Sequence, residues 1–378
     1  MATFELAAPG RVVFGAGVSA QVTSALAALS AKRALVVGGR SAERSQDLRA
    51  RLAIPSVLYS IPSEPTLAMV EEGRALARSE KCDVVVAFGG GSAVDAGEAI
   101  AALAGNDGDI LDYMEVVGKA RPLRGPGLPC IAIPTTAGTG AEVTKNSVLT
   151  SPEAKVKASL RSPYLLPVLA LVDPDLLDGT PATITAVTGL DALSHLLESF
   201  VCLRANPVTT ALARDGMARI AGSLEAACRD GLTAERREDL ALASLLGGLC
   251  LANSGLGAVH GFAAPLGGMW KAPHGAVCAA LLPAVMRVNI AALTARKPGD
   301  PALARYRELD GILAAGKDAS GWVARLTAAL GIAKLASFGM DEKGIPLLVE
   351  KAKAASSMRG NPIALTDDEL TTIARDSM

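Results

Sequence analysis

The sequence predicts a Rossmann-like α/β domain with a parallel sheet, followed by an all-α domain. In the first half, short apolar runs rich in β-branched residues alternate with helical runs, and the β signals disappear after about Pro181. Continuous apolar strands separated by helices are typical of a parallel sheet that is covered on both faces. We place the boundary near residue 179, which gives an α/β domain over 1–179 and a helical domain over 180–378.

Local residue patterns predict the individual strands and helices. Five short apolar runs are the strand candidates: Ala34–Val37, Val57–Tyr59, Asp83–Phe88, Cys130–Ile133 and Leu169–Val172. Helical patterns lie between them, at Ala20–Leu29, Ser45–Leu52, Leu67–Ser79 and Ala93–Leu103. The second half is rich in alanine and leucine, which favour helix, and Pro207, Gly231 and Pro283 are expected to separate its segments.

Composition excludes several classes of protein. With 37 basic and 38 acidic residues the formal net charge is −1, so nothing in the composition favours binding to nucleic acid. Six cysteines are spread along the chain without a C-x-x-C pair, which argues against a zinc ribbon and against a disulfide framework. We therefore expect reduced thiols in a cytoplasmic protein.

One long uncharged stretch raises the question of a membrane span. No residue from Leu240 to Trp270 carries a fixed charge, but many glycines interrupt the stretch. A spanning helix needs about 20 predominantly apolar residues. We expect buried helices joined by a loop and no membrane association. The N-terminal segment, with Glu5 and no long apolar region, does not resemble a signal peptide.

A glycine-rich loop follows the strand candidate Asp83–Phe88. It reads Gly89-Gly90-Gly91-Ser92 and runs into a helix. Such glycines let the backbone approach a diphosphate, and the helix then presents free N–H groups and the positive end of its dipole. A simple tight turn is the alternative reading. Asp95, in the first helical turn, is either a carboxylate that stabilises the helix dipole or a ligand contact.

A second polar loop follows the strand candidate Cys130–Ile133. Residues 134–144 read PTTAGTGAEVT, with four hydroxyl side chains and two glycines. Open α/β sheets bind ligands at the carboxyl ends of their strands. Two such loops in one domain favour a nucleotide site more than either loop does alone.

The helical half contains all three histidines of the chain. Asp191 and His195 are four residues apart, which places both on one face of a helix, and His260 and His274 follow in apolar, glycine-rich surroundings. One carboxylate and three imidazoles suit Fe(II) or Zn(II). Individually, a histidine on an apolar helix is more often a core residue, and Asp191 could simply cap or pair. The concentration of all three histidines in one domain favours a shared metal.

The sequence resembles the iron-containing (group III) alcohol dehydrogenases over nearly its whole length. The motifs GGGSAVDAGEAIA, IPTTAGTGAEVT, GLDALSHLLES, HGFAAPLGG and APHGAVCAALLP stand in the order and at the spacings of that family. The resemblance implies a nicotinamide-linked oxidoreductase acting on a small alcohol or aldehyde, with the active site between an α/β domain and a helical domain. It also implies that Asp191, His195, His260 and His274 form the catalytic centre and hold its metal. That metal is Fe²⁺, with Zn²⁺ as the alternative.

The resemblance also implies cofactor contacts. Those in the two loops are Gly90, Gly91, Ser92, Thr135, Thr136 and Thr139. In relatives, a lysine in the hairpin after the second loop also contacts the cofactor, and it aligns with Lys157. Asp95 is a further candidate for a cofactor contact. We expect a homodimer.

Three departures from the family pattern matter. NAD-dependent relatives place an aspartate after the second strand, whereas this chain has Gly39, Arg40 and Ser41 there. A carboxylate would repel a 2′-phosphate and these residues would not, so we favour NADP(H) over NAD(H). Many relatives have a further histidine where this chain has Ala264, which leaves the proton path open. Relatives usually have a lysine where this chain has Glu98, a change from which the sequence alone implies nothing.

Three rival functions remain. A maleylacetate reductase would act on a dicarboxylate and would need extra basic residues around its substrate. A lyase resembling dehydroquinate synthase would use a related scaffold with a bound nicotinamide and zinc. A non-catalytic nucleotide- or metal-binding protein would bind NADPH without turnover.

Overall fold

The computed structural model describes residues 3–154, 156–270 and 272–378. The described chain divides into two compact units, Leu6–Asp178 and Gly179–Met378, the second joined by the N-terminal residues up to Glu5. The first unit is α/β and the second is helical, so the predicted fold class is confirmed.

The α/β unit contains a six-stranded parallel sheet and a separate hairpin. Its strands are β1 Val12–Phe14, β2 Ala34–Gly38, β3 Ser56–Ser60, β4 Val84–Gly89, β5 Cys130–Pro134 and β8 Leu169–Val172, and the hairpin is β6 Asn146–Ser151 with β7 Val156–Arg161. Its helices are α1 Val22–Ala28, α2 Ala42–Arg51, α3 Leu67–Ser79 and α4 Gly91–Ala104. All five predicted strands and four predicted helices exist, with ends shifted by a few residues. The strand β1 was not predicted, because this partly exposed edge strand has three residues and its pattern is too short to recognise.

Burial on both faces explains why these strands are continuously apolar. Along β2, Leu35 and Val37 join a core cluster with α3 and α4, whereas Ala34 and Val36 join a second cluster with α1 and α2. Successive residues of a strand point to opposite faces of the sheet, so both alternations must be apolar. Helices therefore cover both faces of the sheet.

The strand order β1-β8-β5-β4-β2-β3 creates a topological switch point. From β2 the chain continues to β3 on one side, whereas from β4 it continues to β5 on the other. The carboxyl ends of β2 and β4 therefore border a crevice of the kind in which open α/β sheets bind ligands. Gly38 pairs with Phe88 across these two strands, and Gly89 pairs with Pro134 of β5. The register places all three following loops at one edge.

The second unit is built from nine α-helices within its described residues. They are α5 Ala182–Val201, α6 Pro207–Asp230, α7 Ala234–Asn253, α8 Ala258–Trp270, α9 His274–Arg296, α10 Pro301–Leu313, α11 Ala319–Ala329, α12 Ile345–Ala354 and α13 Asp367–Asp376. Pro207 starts α6 and Gly231 ends it, as expected. The expectation for Pro283 is wrong, because α9 continues through it. Packing of the buried residues along much of α9 outweighs the one backbone hydrogen bond that a proline removes.

The uncharged stretch forms α7 and α8, which are bent by 97° relative to each other at the connecting residues 254–257. Within the described residues, one helix, α9, is long and apolar enough to cross a membrane by length and composition. However, 78% of its most apolar window is buried inside the fold. A core helix passes the same test, so this feature is weak evidence for a span.

Candidate metal centre and nucleotide loops

The helix α5 supplies two of the candidate metal ligands. Asp191 and His195 lie one turn apart on it and are 2% and 4% exposed. Most of α5 is buried, so these two polar side chains point into protein instead of water. Burying a carboxylate is unfavourable unless a cation or hydrogen bonds compensate it. The burial of this carboxylate therefore indicates a compensating group beside Asp191.

The other two ligands come from the first turns of α8 and α9. His260 is the third residue of α8, and His274 is the first residue of α9. Gly275 lets α9 begin close to α5, because a Cβ at this position would lie 2.8 Å from the carbonyl oxygen of Val187. Close helix packing thus brings together histidines that are far apart in sequence.

The four side chains converge on one point. Their ligand atoms all lie within 4.8 Å of one another. Asp191 Oδ1 is 4.0 Å from Nε2 of His195, 3.8 Å from that of His260 and 3.7 Å from that of His274. Ligands at about 2.1 Å from a tetrahedral ion stand about 3.4 Å apart, so the three separations from Asp191 Oδ1 exceed that spacing by about 0.3 to 0.6 Å.

The charge balance of the site fits a divalent cation. Asp191 Oδ1 is buried and has no hydrogen-bond partner among the described residues. Burial raises the pKa of Asp191, but the three neighbouring histidines outweigh burial and hold it below its ordinary value. Burial lowers the pKa of His260, but Glu198 and Asp191 raise it above its ordinary value. Carboxylate and imidazole donors of this kind suit iron or zinc.

In the α/β unit, the glycine loop prepares a phosphate site at the start of α4. Gly90 is the N-cap of α4, and no side chain caps this end. The first N–H groups of a helix lack partners inside the helix, and its dipole adds partial positive charge. An anion would satisfy both. Gly89 has a φ of 156°, which glycine adopts readily and other residues rarely do.

The second polar loop, residues 134–144, is called the threonine loop here. It lies against the glycine loop. Thr135 N–H donates to the carbonyl oxygen of Gly89 at 2.8 Å. A Cβ at Gly90 would lie 3.3 Å from Thr136 Oγ1, and one at Gly91 would lie 2.6 Å from Thr139 Cγ2. The structure therefore brings together the two loops that the sequence suggested separately. Ser92 follows in the first turn of α4.

The loop after β2, which contains Gly39, Arg40 and Ser41, lies across the switch point from the glycine loop. Gly39 N–H donates to the carbonyl oxygen of Phe88 at 3.1 Å, and a Cβ at Gly39 would lie 3.5 Å from Gly89 Cα. Arg40 is exposed, and its Nε donates to the carbonyl oxygen of Pro62 at 3.3 Å. Ser41 is the N-cap of α2 and accepts a hydrogen bond from Arg44 N–H. These residues lie where a ribose bound at the crevice would be recognised.

Comparisons with known proteins cover both units of the chain. Residues 9–174 match the family described as iron-containing alcohol dehydrogenase, and residues 185–378 match its C-terminal family. The chain is 34% identical to a 1,3-propanediol dehydrogenase of Klebsiella pneumoniae, over 99% of this chain and 98% of that one.

The chain belongs to the iron-containing alcohol dehydrogenase family.

Two further likenesses extend this result. An NAD-dependent methanol dehydrogenase of Bacillus methanolicus is 33% identical over 98% of both chains. A crystal structure of a 1,3-propanediol oxidoreductase superposes with a TM-score of 0.89 at 34% identity, covering all of both chains. The activity that these likenesses support is that of a metal-dependent alcohol dehydrogenase.

In this iron-containing alcohol dehydrogenase, a buried carboxylate supports one of the candidate metal ligands. Glu198 Oε2 lies 2.7 Å from His260 Nδ1, and Glu198 Oε1 accepts from the N–H of Val259 at 2.7 Å. The bond to Nδ1 leaves Nε2 free to bind a metal and fixes the ring orientation. Glu198 was not among the residues predicted from the sequence. A signal existed, because it follows His195 by three residues on the same helix face.

Ala264 does not provide a group for a proton path. It lies on α8 one turn after His260 and is partly exposed. Its methyl group can neither donate nor accept a proton. This side chain therefore cannot relay a proton.

Asp95 and Lys157 both contact other protein groups. Asp95 Oδ2 accepts a hydrogen bond from Val148 N–H of the hairpin at 3.2 Å, and Lys157 Nζ lies 2.5 Å from Glu64 Oε1. Burial raises the pKa of Asp95 to about 7, although Val148 and Lys157 oppose this shift. Both residues join the hairpin to its surroundings, and their contact with a cofactor remains a prediction.

Glu98 belongs to a buried group of carboxyls behind the nucleotide loops. It is 1% exposed, and neither of its oxygens has a hydrogen-bond partner among the described residues. Burial raises the pKa of Glu98 well above its ordinary value, and the nearby Asp95 and Glu142 raise it further. Burial likewise raises the pKa of Glu142 to about 7. The folded protein therefore favours a neutral, protonated Glu98.

Proposed function

We propose that this chain catalyses the reversible oxidation of a small alcohol with NADP(H), at a metal ion held by Asp191, His195, His260 and His274. The convergence of these four ligand atoms around the unpartnered Asp191 Oδ1 carries the proposal. Their donor set suits Fe²⁺ and also accepts Zn²⁺. The ion would act as a Lewis acid that lowers the pKa of the alcohol hydroxyl.

The protein's own groups bind and orient the reactants. The N-terminus of α4 and the adjoining threonine loop would hold the diphosphate of the cofactor, with Gly90 and Gly91 allowing close backbone approach. Glu198 keeps His260 in one orientation and leaves its Nε2 directed toward the other ligands. The hydride chemistry itself belongs to the nicotinamide.

The preference for NADP(H) rests on the loop after β2. Gly39, Arg40 and Ser41 provide no carboxylate, and Arg40 is an exposed cation able to pair with a 2′-phosphate. A methanol dehydrogenase at 33% identity is named as NAD-dependent, so the two cofactors must be compared directly. The names of the relatives favour short primary alcohols, such as methanol and 1,3-propanediol, as substrates.

One assay series tests the function and its rivals. Purified protein is analysed for bound metal and then assayed with NADPH and NADH against short aldehydes, maleylacetate and, in reverse, the alcohols. We expect faster turnover with NADPH and a short aldehyde. Fully metallated protein that oxidises neither cofactor with any carbonyl would contradict the proposal, and turnover of maleylacetate alone would favour the dicarboxylate rival.

We further propose a homodimer in the cytoplasm. None of the six cysteines, all within the described residues, forms a disulfide, and five of them are buried, which supports a reducing compartment. The homodimer rests on the family resemblance alone. Sedimentation of the purified protein tests it, and a monomeric mass at the assay concentration would contradict it.

A further inference from the structure

The start of α8 is held by two side chains from other parts of the helical unit. The N–H of Ala258 donates to Asn361 Oδ1 at 3.2 Å. The N–H of Val259 donates to Glu198 Oε1 at 2.7 Å. The first N–H groups of a helix have no partner inside the helix and need acceptors from elsewhere. His260 is the next residue, so these two bonds fix the turn from which its side chain projects.

Asn361, which lies between α12 and α13, is itself fixed in one orientation. Its Oδ1 also accepts from Asn289 Nδ2 at 3.1 Å. Its Nδ2 donates to Asn289 Oδ1 at 2.8 Å and to the carbonyl oxygen of Ile363 at 2.8 Å. Together with the bond from Ala258, these contacts use both donors and both lone pairs of the amide. Because Asn289 lies on α9, Asn361 joins the start of α8 to α9.

Burial makes this network sensitive to the loss of one partner. Asn361 and Asn289 are 3% and 1% exposed, and Asn289 Nδ2 also donates to Tyr306 Oη on α10 at 3.1 Å. A buried polar group that loses its partner is destabilising, and a fully connected network holds its members in one arrangement. Asn361 is therefore a rigid acceptor for the backbone of α8.

Gly257 shows that Asn361 and Glu198 act at the same place. A Cβ at Gly257 would lie 2.9 Å from Asn361 Oδ1 and 2.9 Å from Glu198 Oε1. Glycine permits this close approach because it has no Cβ. Both acceptors therefore hold the same turn of α8, at the residue that precedes the helix.

We propose that Asn361 is a positioning residue for His260, which together with Glu198 fixes the first turn of α8 and so keeps His260 Nε2 directed toward the other metal ligands. The inference rests on the proposed ligand set of Asp191 and the three histidines. His260 Nε2 lies 3.8 Å from Asp191 Oδ1. Glu198 acts on both the backbone and the imidazole ring, whereas Asn361 acts through the backbone.

Metal affinity of the full-length protein tests this inference. Purified protein is stripped with a chelator, and its dissociation constant for Zn(II) is then measured by chelator competition. Asn361→Ala should weaken zinc binding by about tenfold, because the first turn of α8 loses one of its two supports.

Asn206→Ala is the matched control. Asn206 is a buried asparagine of the same unit, and its side chain accepts from the N–H groups of Val208 and Thr209 at the start of α6. Its removal should lower stability but leave zinc affinity unchanged, since α6 carries none of the proposed ligands. An acceptor that served folding alone would behave in the same way at position 361.

A double-variant cycle separates positioning from general destabilisation. Once the first turn of α8 is loosened by one variant, the other has less to disturb. Asn361→Ala combined with Glu198→Gln should therefore lose less zinc affinity than the product of the two single losses, by about threefold or more. Losses that simply multiply would overturn the inference, because they would show that the two side chains act independently.

The outcomes distinguish this inference from the proposed metal site. Unmodified protein that binds no zinc would overturn the ligand set and this inference together. Zinc affinity that is unchanged in Asn361→Ala, or equally weakened in Asn206→Ala, would overturn the role of Asn361 and leave the four ligands standing. Circular dichroism verifies folding, and Asn361→Ser, which keeps a polar group, is the second variant if the alanine protein does not fold.

Discussion

Glu198 Oε2 lies 2.7 Å from Nδ1 of His260, while Nε2 of the same ring faces Asp191 Oδ1 at 3.8 Å. The carboxylate therefore fixes which nitrogen is directed toward the other ligands. Glu198 is itself held by the N–H of Val259 in the first turn of α8, where the helix dipole favours negative charge. A buried carboxylate with two such partners is rigid, and it transmits that rigidity to the imidazole.

The first prediction concerns this support. Glu198→Gln should weaken metal affinity by about 10- to 100-fold, because the neutral amide cannot stabilise the ring as the carboxylate does. The readout is the metal dissociation constant from chelator competition. Glu198→Asp keeps the charge and should recover part of the affinity. Unchanged affinity in Glu198→Gln would show that the contact is not a support of the metal site.

The second prediction removes a ligand. His195→Ala should lose at least about tenfold in metal affinity, and activity with it, while remaining folded. Elemental analysis and circular dichroism measure the two properties. Ser194→Ala is a matched control on the same helix, since its hydroxyl donates to the carbonyl oxygen of Leu190 in α5. Full metal content in His195→Ala would remove that residue from the ligand set.

The third prediction tests the contact between the two nucleotide loops. In Gly91→Ala the new Cβ would lie 2.6 Å from Thr139 Cγ2 and 2.7 Å from its Oγ1, so the loops must separate. Nucleotide affinity should fall by about tenfold, or roughly 1.4 kcal/mol, in a fluorescence titration.

Gly222→Ala is the control for that variant. A Cβ there meets nothing within 4 Å on the exposed side of α6, so nucleotide affinity should be unchanged. Stability should rise by up to about 1 kcal/mol, since alanine is the better helix former. Full nucleotide affinity in Gly91→Ala would argue against a role of this loop contact in binding.

The fourth prediction addresses cofactor choice. Arg40→Asp should weaken NADPH relative to NADH by about tenfold or more, because a carboxylate would repel the 2′-phosphate. The measurement is the ratio of kcat/KM for the two cofactors. Arg49→Asp makes the same charge change on an exposed turn of α2 and should leave the ratio near its original value. An equal shift of this ratio in both variants would show that the effect comes from net charge alone.

The fifth prediction concerns the buried carboxyl group of Glu98. The unfolded chain ionises Glu98 near its ordinary pKa of 4.5, whereas burial and the neighbouring carboxyls keep the folded form protonated to much higher pH. The folded state therefore binds an extra proton, so stability is full at acidic pH and falls as pH rises. Asp95 and Glu142, with pKa values raised to about 7, act in the same direction.

Glu98→Gln keeps the shape and removes that proton. It should reduce the loss of unfolding free energy between about pH 5 and about pH 7 by up to about 1.4 kcal/mol per pH unit. Urea denaturation at a series of pH values measures this slope. A slope identical to that of the unmodified protein would show that Glu98 does not carry the extra proton.

Local pattern was sufficient for much of the fold. The runs that became β2, β4 and β5 are continuously apolar because both faces of the sheet are covered, and this pattern is visible without coordinates. Prediction failed where local signals were weak or overridden. The strand β1 is too short to show a pattern, and α9 continues through Pro283 because tertiary packing outweighs one missing hydrogen bond.

The sequence by itself determined the two-part architecture, the family, and the helix face shared by Asp191 and His195, because these depend on periodicity and on spacing along one element. Only the tertiary structure decided that Gly39 meets Gly89 across the switch point and that Glu198 supports His260. These relationships join residues brought together by sheet order and helix packing. Packing is a property of the whole unit, so local spacing does not reveal it.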